Sequence, residues 1–214
     1  PDETEDLHTM FRTPELIARL RANAGRNSGT AAILRSIPDA AAYWRELDDD
    51  ALWDLMYGPT LFRSWNVWST GHCLACKQPT PLYAWRIDGL TRPWKVTCPH
   101  CEAIFPKNDF HAYYRSGLDV GGIFRRDRAN PALLFNADHP DPADPLHAFG
   151  VDDGDGYVEG GIRWRFIGAY LIYGQWRHRV LNGIRKLTAA FVASGAPADA
   201  HRALILLDRV ADLY

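Results

Sequence analysis

The spacing of apolar and polar positions divides the chain into stretches of different rhythm. Near the start, Leu16, Ile17 and Leu20 recur at helical steps behind a strong start signal: the Thr13 hydroxyl as N-cap, Pro14 at the first helical position and Glu15 in the first turn. This helix is expected to run to about Ala24 and to break at Gly25 and Gly29. A second helix is expected over Ala40 to Leu47, after Pro38-Asp39. A third is expected over Ala51 to Tyr57, capped by Asp48-Asp49-Asp50 and stopped by Gly58-Pro59.

Between Ser69 and Asn108 the period shortens. Leu82-Tyr83-Ala84-Trp85-Arg86-Ile87 and Trp94-Lys95-Val96-Thr97 are β-type runs, and Asp88-Gly89 between them is a hairpin turn signal. Asp109 to Gly161 is rich in Pro, Gly and Asp and reads as a long ordered loop, a length that in compact domains is uncommon and often functional. Trp164 to Ala193 returns to a helical rhythm. Phe166, Tyr170, Tyr173, Val180, Ile184, Leu187 and Phe191 form one stripe at steps of three or four, with a single longer step between Tyr173 and Val180. Ser194-Gly195-Ala196-Pro197 is a tight connection into a second stripe of Leu204, Leu207, Val210 and Ala211. So short a loop makes the two helices pack antiparallel, as in the hairpins of α/α toroids and α-solenoids, although no repeated sequence is visible. Ala198 to Tyr214 shows no Gly or Pro stop signal, and the expectation is that this is the N-terminal part of a longer protein. The organisation expected is a helical segment over 1–68, a small stranded insert over 69–108, and a loop followed by helical hairpins over 109–214.

Composition narrows the function classes. A hydrophobic content of 47% with 23% charged residues belongs to a folded globular chain. With 24 basic against 26 acidic residues, the net charge of −2 argues against a nucleic-acid partner, which a basic surface would serve. No apolar run reaches the length of a membrane span. The sequence from Pro1 does not open on a charged-then-apolar leader, although one could already have been removed, so the compartment stays open. Eight Trp and nine Tyr exceed the usual share; core packing accounts for most, and aromatic rings also stack on the apolar faces of sugar rings.

The four cysteines carry the clearest chemistry. Cys73-Leu74-Ala75-Cys76 and Cys98-Pro99-His100-Cys101 are two C-x-x-C knuckles with 21 residues between them. Each knuckle sets two thiolates on one tight turn, and two such turns facing each other complete a tetrahedron around zinc. Every cysteine is used, as in a closed structural site, and Lys77, Lys95, His72 and His100 stand near enough in sequence to offset its negative charge. Two disulfides and a redox pair are the rival readings; the paired spacing favours metal. Glu102 stands where Gly often follows the last Cys, which leaves the amide-to-sulfur bonding there open.

From Trp94 to Tyr214 the chain resembles the N-terminal region of bacterial heparinase II/III-like polysaccharide lyases. The resemblance is carried by Val96-Thr97-Cys98-Pro99-His100-Cys101, Asn108-Asp109-Phe110, Tyr113-Tyr114-Arg115-Ser116-Gly117 and Leu134-Phe135-Asn136. It continues through His139-Pro140-Asp141, Phe149-Gly150-Val151-Asp152-Asp153-Gly154 and Trp164-Arg165-Phe166-Ile167-Gly168-Ala169-Tyr170. It implies a mainly α fold, an incomplete α/α toroid with a zinc-ribbon-like insert, followed in the full protein by β-sandwich domains. It implies β-elimination on a uronic-acid-containing polysaccharide such as a glycosaminoglycan or alginate, in a periplasmic or secreted setting. In such lyases a polar group neutralises the uronate carboxylate, and a Tyr or His takes the C5 proton. The partners implied are an acidic polysaccharide and the remainder of the same protein, with no cofactor in the chemistry and zinc as a brace.

The family's catalytic residues do not map securely onto this chain, and the fragment alone is expected to be inactive. The candidates within reach are Tyr170, Tyr173 and His178 for catalysis, and Trp164, Arg165, Gln175 and Trp176 for substrate binding. Arg165, at a helix N-terminus that itself favours a carboxylate, is a candidate uronate ligand. Asp152, Asp153 and Asp155 offer a calcium alternative, although their spacing is not that of an EF-hand. Asn136, His139 and His147 are candidates for lining a cleft. Two other functions are carried alongside: a toroid glycoside hydrolase, for which Asp152, Asp153, Asp155 and Glu159 offer the carboxylates, and a non-catalytic, zinc-stabilised carbohydrate-binding module.

Overall fold

The computed structural model describes residues 14–24, 26, 28–67, 71–81 and 83–213. Thr13, Gly25, Ser69 and Leu82, on which parts of the sequence reading rest, lie outside the described residues. The protein is mainly helical, with two small two-stranded antiparallel sheets. Among the described residues no helix is long and apolar enough to cross a membrane.

Two compact units divide the chain. One contains the described residues up to Trp53 together with Gly183–Asp208; the other contains Asp54–Asn182 and the end of the chain from Arg209.

The first unit holds α1 (Pro14–Ala24), α2 (Ser28–Asp39), α3 (Ala42–Arg45) and α4 (Asp49–Trp53), with most of α7 (Asn182–Ser194) and α8 (Pro197–Leu213). Gly29 lies inside α2 rather than ending a helix, because a lone glycine costs a helix only about 1 kcal/mol. The second expected helix shrinks to the single turn of α3, whose Trp44 is buried. Asp48 caps the next one as expected, its Oδ1 accepting from the Ala51 N–H at 2.8 Å. Gly183 lets α7 close on Trp44: a Cβ there would sit 2.5 Å from Trp44 Nε1 and 2.8 Å from Leu206 Cδ1. That second distance also ties the start of α7 to the middle of α8, the antiparallel hairpin that the short loop predicts. Gly195 makes the turn with φ +79, its N–H reaching Phe191 O at 2.7 Å. Arg45 grips the buried Asp199 through two bonds of 2.8 and 2.6 Å, and that bond raises the pKa of Arg45. The stripe expected on α8 is out of phase. Ala203 and Leu206 are buried, whereas Leu204 and Leu207 are 61% and 45% exposed. Leu204-Ile205-Leu206-Leu207 is apolar all round, so spacing alone does not fix which side faces Trp44 and Gly183.

The second unit is built around aromatic rings. Trp94 has Tyr57 at 4.1 Å, Phe110 at 5.3 Å, Tyr170 at 5.4 Å and Tyr114 at 5.5 Å between ring centroids. Its φ of +63 is a left-handed backbone that turns the indole into this cluster, held there by its burial. The cysteine segment is continuous with this core: Cys73, Leu74, Trp94, Val96 and Cys98 share one buried cluster with Tyr57, Phe166 and Tyr170. β1 (Val96–Thr97) pairs with β2 (Ile104–Phe105), Val96 opposite Phe105. The expected run over Leu82–Ile87 supplies only an isolated bridge between Arg86 and Thr97. Asp88-Gly89 forms no hairpin, because the Asp88 carboxylate takes up the next amides itself: Oδ1 accepts from Leu90 and Thr91 N–H, and Oδ2 from the Thr91 hydroxyl.

The stretch expected as one long loop contains α5 (Phe110–Ser116). Asp109 caps it by accepting from the Ala112 N–H at 3.0 Å, and Phe110, Tyr113 and Tyr114 are its buried side. A short 3₁₀ turn follows at Pro131–Leu133, then the hairpin of β3 (Tyr157–Glu159) and β4 (Ile162–Trp164). α6 (Phe166–Tyr170) runs without interruption into a π-helical segment, Leu171–Leu181, and on into α7. A π stretch of this length is unusual, since most are single turns.

Candidate metal centre and aromatic cleft

The two cysteine knuckles converge. All four Sγ atoms lie within 4.8 Å of one another, Cys73 and Cys98 are buried, and none of the four is in a disulfide. Cys73 Sγ and Cys101 Sγ are 3.9 Å apart. Sulfurs at the corners of a tetrahedron about 2.3 Å from its centre are about 3.8 Å apart, so the spacing fits a structural metal ion. The knuckles share a backbone shape. Lys77, after Cys76, has φ +58, and Glu102, after Cys101, has φ +61. These are the left-handed positions where glycine is easiest, so Glu102 adopts the turn without glycine's help. Backbone amides point at the sulfurs, as the His100 N–H does at Cys98 Sγ, 3.4 Å away. Burial pushes the Cys73 thiol up to about 12, and amides of Cys101 and His100 overcome burial to lower that of Cys98. Of the residues expected to offset the charge, Lys95 spends its ammonium on the Pro106 and Asn108 carbonyls, at 2.7 and 2.9 Å. Lys77 reaches Glu159, and His100 Nε2 sits 3.0 Å from Pro79 O.

The aspartate run is no metal cluster; among the described residues only the cysteines form one. Asp152 is fully buried. Its Oδ1 accepts from the Gly154 and Gly156 N–H groups at 2.7 and 3.0 Å, and its Oδ2 from the Ile167 N–H at 3.0 Å. Burial pushes its carboxyl up to about 6 against those bonds. Asn108 clamps the same residue, donating to Asp152 O and accepting from Asp152 N–H, each at 3.0 Å. The carboxylate that the N-terminus of α6 favours is therefore the protein's own. Asp155 holds Arg163 and Arg165 at 2.8 and 3.2 Å, and the Arg165 guanidinium lies 3.9 Å over the Phe62 ring. Asp153 pairs with Arg126 at 3.4 Å. These acids tie the loop to the start of α6, to β4 and to Arg126.

The remaining candidates separate by burial. Trp164, Tyr170 and Gln175 are in the core, with 1%, 0% and 0% exposure. Trp164 Nε1 donates to His72 O, and Gln175 Nε2 donates to Leu55 O at 3.0 Å. None of the three can touch a polymer. Asn136, His139 and His147 bond to one another's loop: Asn136 Nδ2 to Leu146 O, His139 Nδ1 to Asp144 Oδ2 and His147 Nδ1 to His139 O.

Tyr173 and His178, by contrast, meet in a cavity of about 180 Å³ with Trp65, Tyr83 and Trp85. In an α-helix residues five apart diverge by about 140°; the wider π turn brings these two into one wall. The Tyr173 hydroxyl donates to Trp65 O at 2.9 Å, and burial raises its pKa. His178 Nδ1 accepts from the Gly89 N–H at 3.4 Å, so the neutral ring carries its proton on Nε2. Both groups are therefore set as donors and ring surfaces rather than as bases. Trp65 and Tyr83, 65% and 69% exposed, were missed as site residues by sequence reading; Trp65 lies outside any periodic run, and Tyr83 read only as part of a β-type run. Comparisons with protein-family models, with curated proteins and with solved structures found no match.

Proposed function

We propose that this chain is the zinc-braced N-terminal part of a polysaccharide lyase that cleaves a uronic-acid-containing polymer by β-elimination, in the periplasm or outside the cell. The observation that carries the reading is the cleft of Trp65, Tyr83, Trp85, Tyr173 and His178, an aromatic concavity that also carries polar groups such as Asn66. Flat rings suit the C–H faces of sugars, and a His Nε2–H suits a carboxylate or hydroxyl oxygen. The resemblance over Trp94–Tyr214 supplies the reaction class. Zinc suits four thiolates at tetrahedral spacing, a closed donor set with no position for water, and this supports the reading. It braces the Cys73–Cys101 segment and takes no part in bond breaking. The base that removes the C5 proton belongs elsewhere in the protein, since Tyr170 is buried and Tyr173 has committed its proton to a carbonyl.

Incubating the full-length protein with alginate, heparan-type and chondroitin-type polymers tests the reading. A lyase produces an unsaturated uronate, seen as new ultraviolet absorbance from its conjugated double bond. New reducing ends without that absorbance would mean hydrolysis, and the reading would fail.

A further inference from the structure

Trp65 lines two cavities. On one side lies the cleft of Tyr83, Tyr173 and His178. On the other lies a cavity of about 350 Å³ walled by Met56, Arg63, Ile172, Trp176 and Val210. The π segment serves both, Ile172 and Trp176 facing one and Tyr173 and His178 the other. We propose that this surface is a binding rail for an acidic oligosaccharide, with Trp65 as the ridge between two adjacent sugar subsites. The inference rests on the lyase reading for its ligand class, and it names the residues that hold the ligand.

Three observations carry it. First, the ridge and one side carry exposed rings and the other side a partly exposed one. Trp65 is 65% exposed and Tyr83 69%, and Trp176 is half-buried. Large exposed rings are unfavourable in water unless something covers them, and a sugar ring offers a matching flat C–H face. Second, the charge is one-sided. Among the described residues no Asp or Glu lines either cavity, whereas Arg63, which also donates to Tyr57 O at 3.2 Å, lines one, and Arg177 stands exposed with its guanidinium 5.5 Å from the Tyr173 ring. A neutral sugar needs no such cations; a uronate does. Third, the ridge is fixed. Trp65 O accepts from the Tyr173 hydroxyl, and the flanking Ser64 Oγ donates to Asn66 O at 2.7 Å, so the rail is shaped before ligand arrives.

The polar cavity on the cysteine segment is a weaker rival for the same ligand. The acids Asp88 and Glu102 line it beside Arg86, Arg92 and Lys95, and Arg86 is paired with Glu102.

The test titrates the purified chain with an alginate-type uronate tetrasaccharide and with a neutral cello-oligosaccharide of equal length, by calorimetry. The uronate is expected to bind more tightly. Trp65→Ala and Trp176→Ala are each expected to weaken it by about tenfold, as loss of a central aromatic contact does. Trp65→Phe is expected to keep most of the affinity, and Arg177→Ala to weaken the uronate severalfold while leaving any neutral binding unchanged. Trp65 is exposed, so its loss leaves the fold intact; unchanged circular dichroism and metal content verify this for each variant. No binding of the uronate, a preference for the neutral sugar, or Trp65→Ala binding as tightly as the parent would overturn the rail. Uronate binding without unsaturated product from the full-length protein would sink the lyase reading and leave the rail standing. Product formed at an unchanged KM by Trp65→Ala would do the reverse.

Discussion

Gly89 rests directly on the carbonyl of Gly174: a Cβ on Gly89 would lie 2.1 Å from that oxygen. The contact seats the Asp88 turn on the π segment and brings the Gly89 N–H to His178. No side chain fits, so Gly89→Ala is expected to destabilise the protein by about 1–3 kcal/mol, the usual cost of overpacking. Urea unfolding reads this as a lower midpoint at an unchanged slope. The same variant is expected to weaken oligosaccharide binding, because His178 loses its partner. A midpoint equal to the parent's would show that the turn and the π segment are not in contact.

The first knuckle turn makes an independent prediction. Lys77 holds φ +58, and its ion pair with Glu159 is long and exposed, at 3.4 Å. Lys77→Gly removes left-handed strain and little else, so it is expected to stabilise the metal-bound protein by about 1 kcal/mol. Thermal unfolding with metal bound checks this. A decrease would mean that the Lys77 side chain matters to the cysteine centre in its own right.

Asp152 links pH to stability. Its carboxyl is raised from 3.8 to about 6, so between those values the folded state holds the proton more tightly than the unfolded chain. Its contribution therefore falls as pH rises through that window and is level above it. Asp152→Asn removes the titration and sets an amide donor against one of the three N–H groups, at a cost of about 1–3 kcal/mol. The stability gap between parent and variant is expected to narrow from pH 4 to pH 6, the window those values set. A gap that is constant with pH would contradict the buried, raised carboxyl.

How much of this was legible in the sequence depends on how local each signal is. The cysteine knuckles were, because metal ligation fixes residue type and spacing together. The α7–α8 hairpin was, because Gly195 and Pro197 punctuate it. The long helix was, and its single irregular step, between Tyr173 and Val180, falls inside the π segment. The phase of α8 was not, because a run of four apolar residues leaves the buried side to its neighbours, Gly183 and Trp44. α5 was hidden by its surroundings: Phe110, Tyr113 and Tyr114 have helical spacing, but Gly and Pro around them read as loop. The partners of Arg165 were not legible, because the Phe62 ring under its guanidinium lies far off in sequence and the Asp155 contact depends on the fold of the loop between them. Trp65 gave no signal of its own and Tyr83 read only as part of a β-type run, since an exposed ring becomes a site only through what folding sets beside it.

Tyr173 separates binding from proton transfer. Its hydroxyl is engaged with Trp65 O and its pKa is raised, so on the proposed lyase reading Tyr173→Phe is expected to leave kcat of the full-length protein within about threefold. Tyr173→Ala removes the ring and is expected to raise KM by about tenfold. Steady-state kinetics on a uronate polymer distinguish the two; a loss of kcat of about a thousandfold or more in Tyr173→Phe would make its hydroxyl the base after all.

X-ray absorption at the zinc edge, on protein purified without added metal, addresses the centre on which the arrangement of the Cys73–Cys101 segment depends. The expected result is one zinc per chain with four sulfur neighbours at about 2.3 Å and no oxygen neighbour. A metal-free protein with its thiols joined as disulfides, or a zinc carrying water in place of a sulfur, would contradict it.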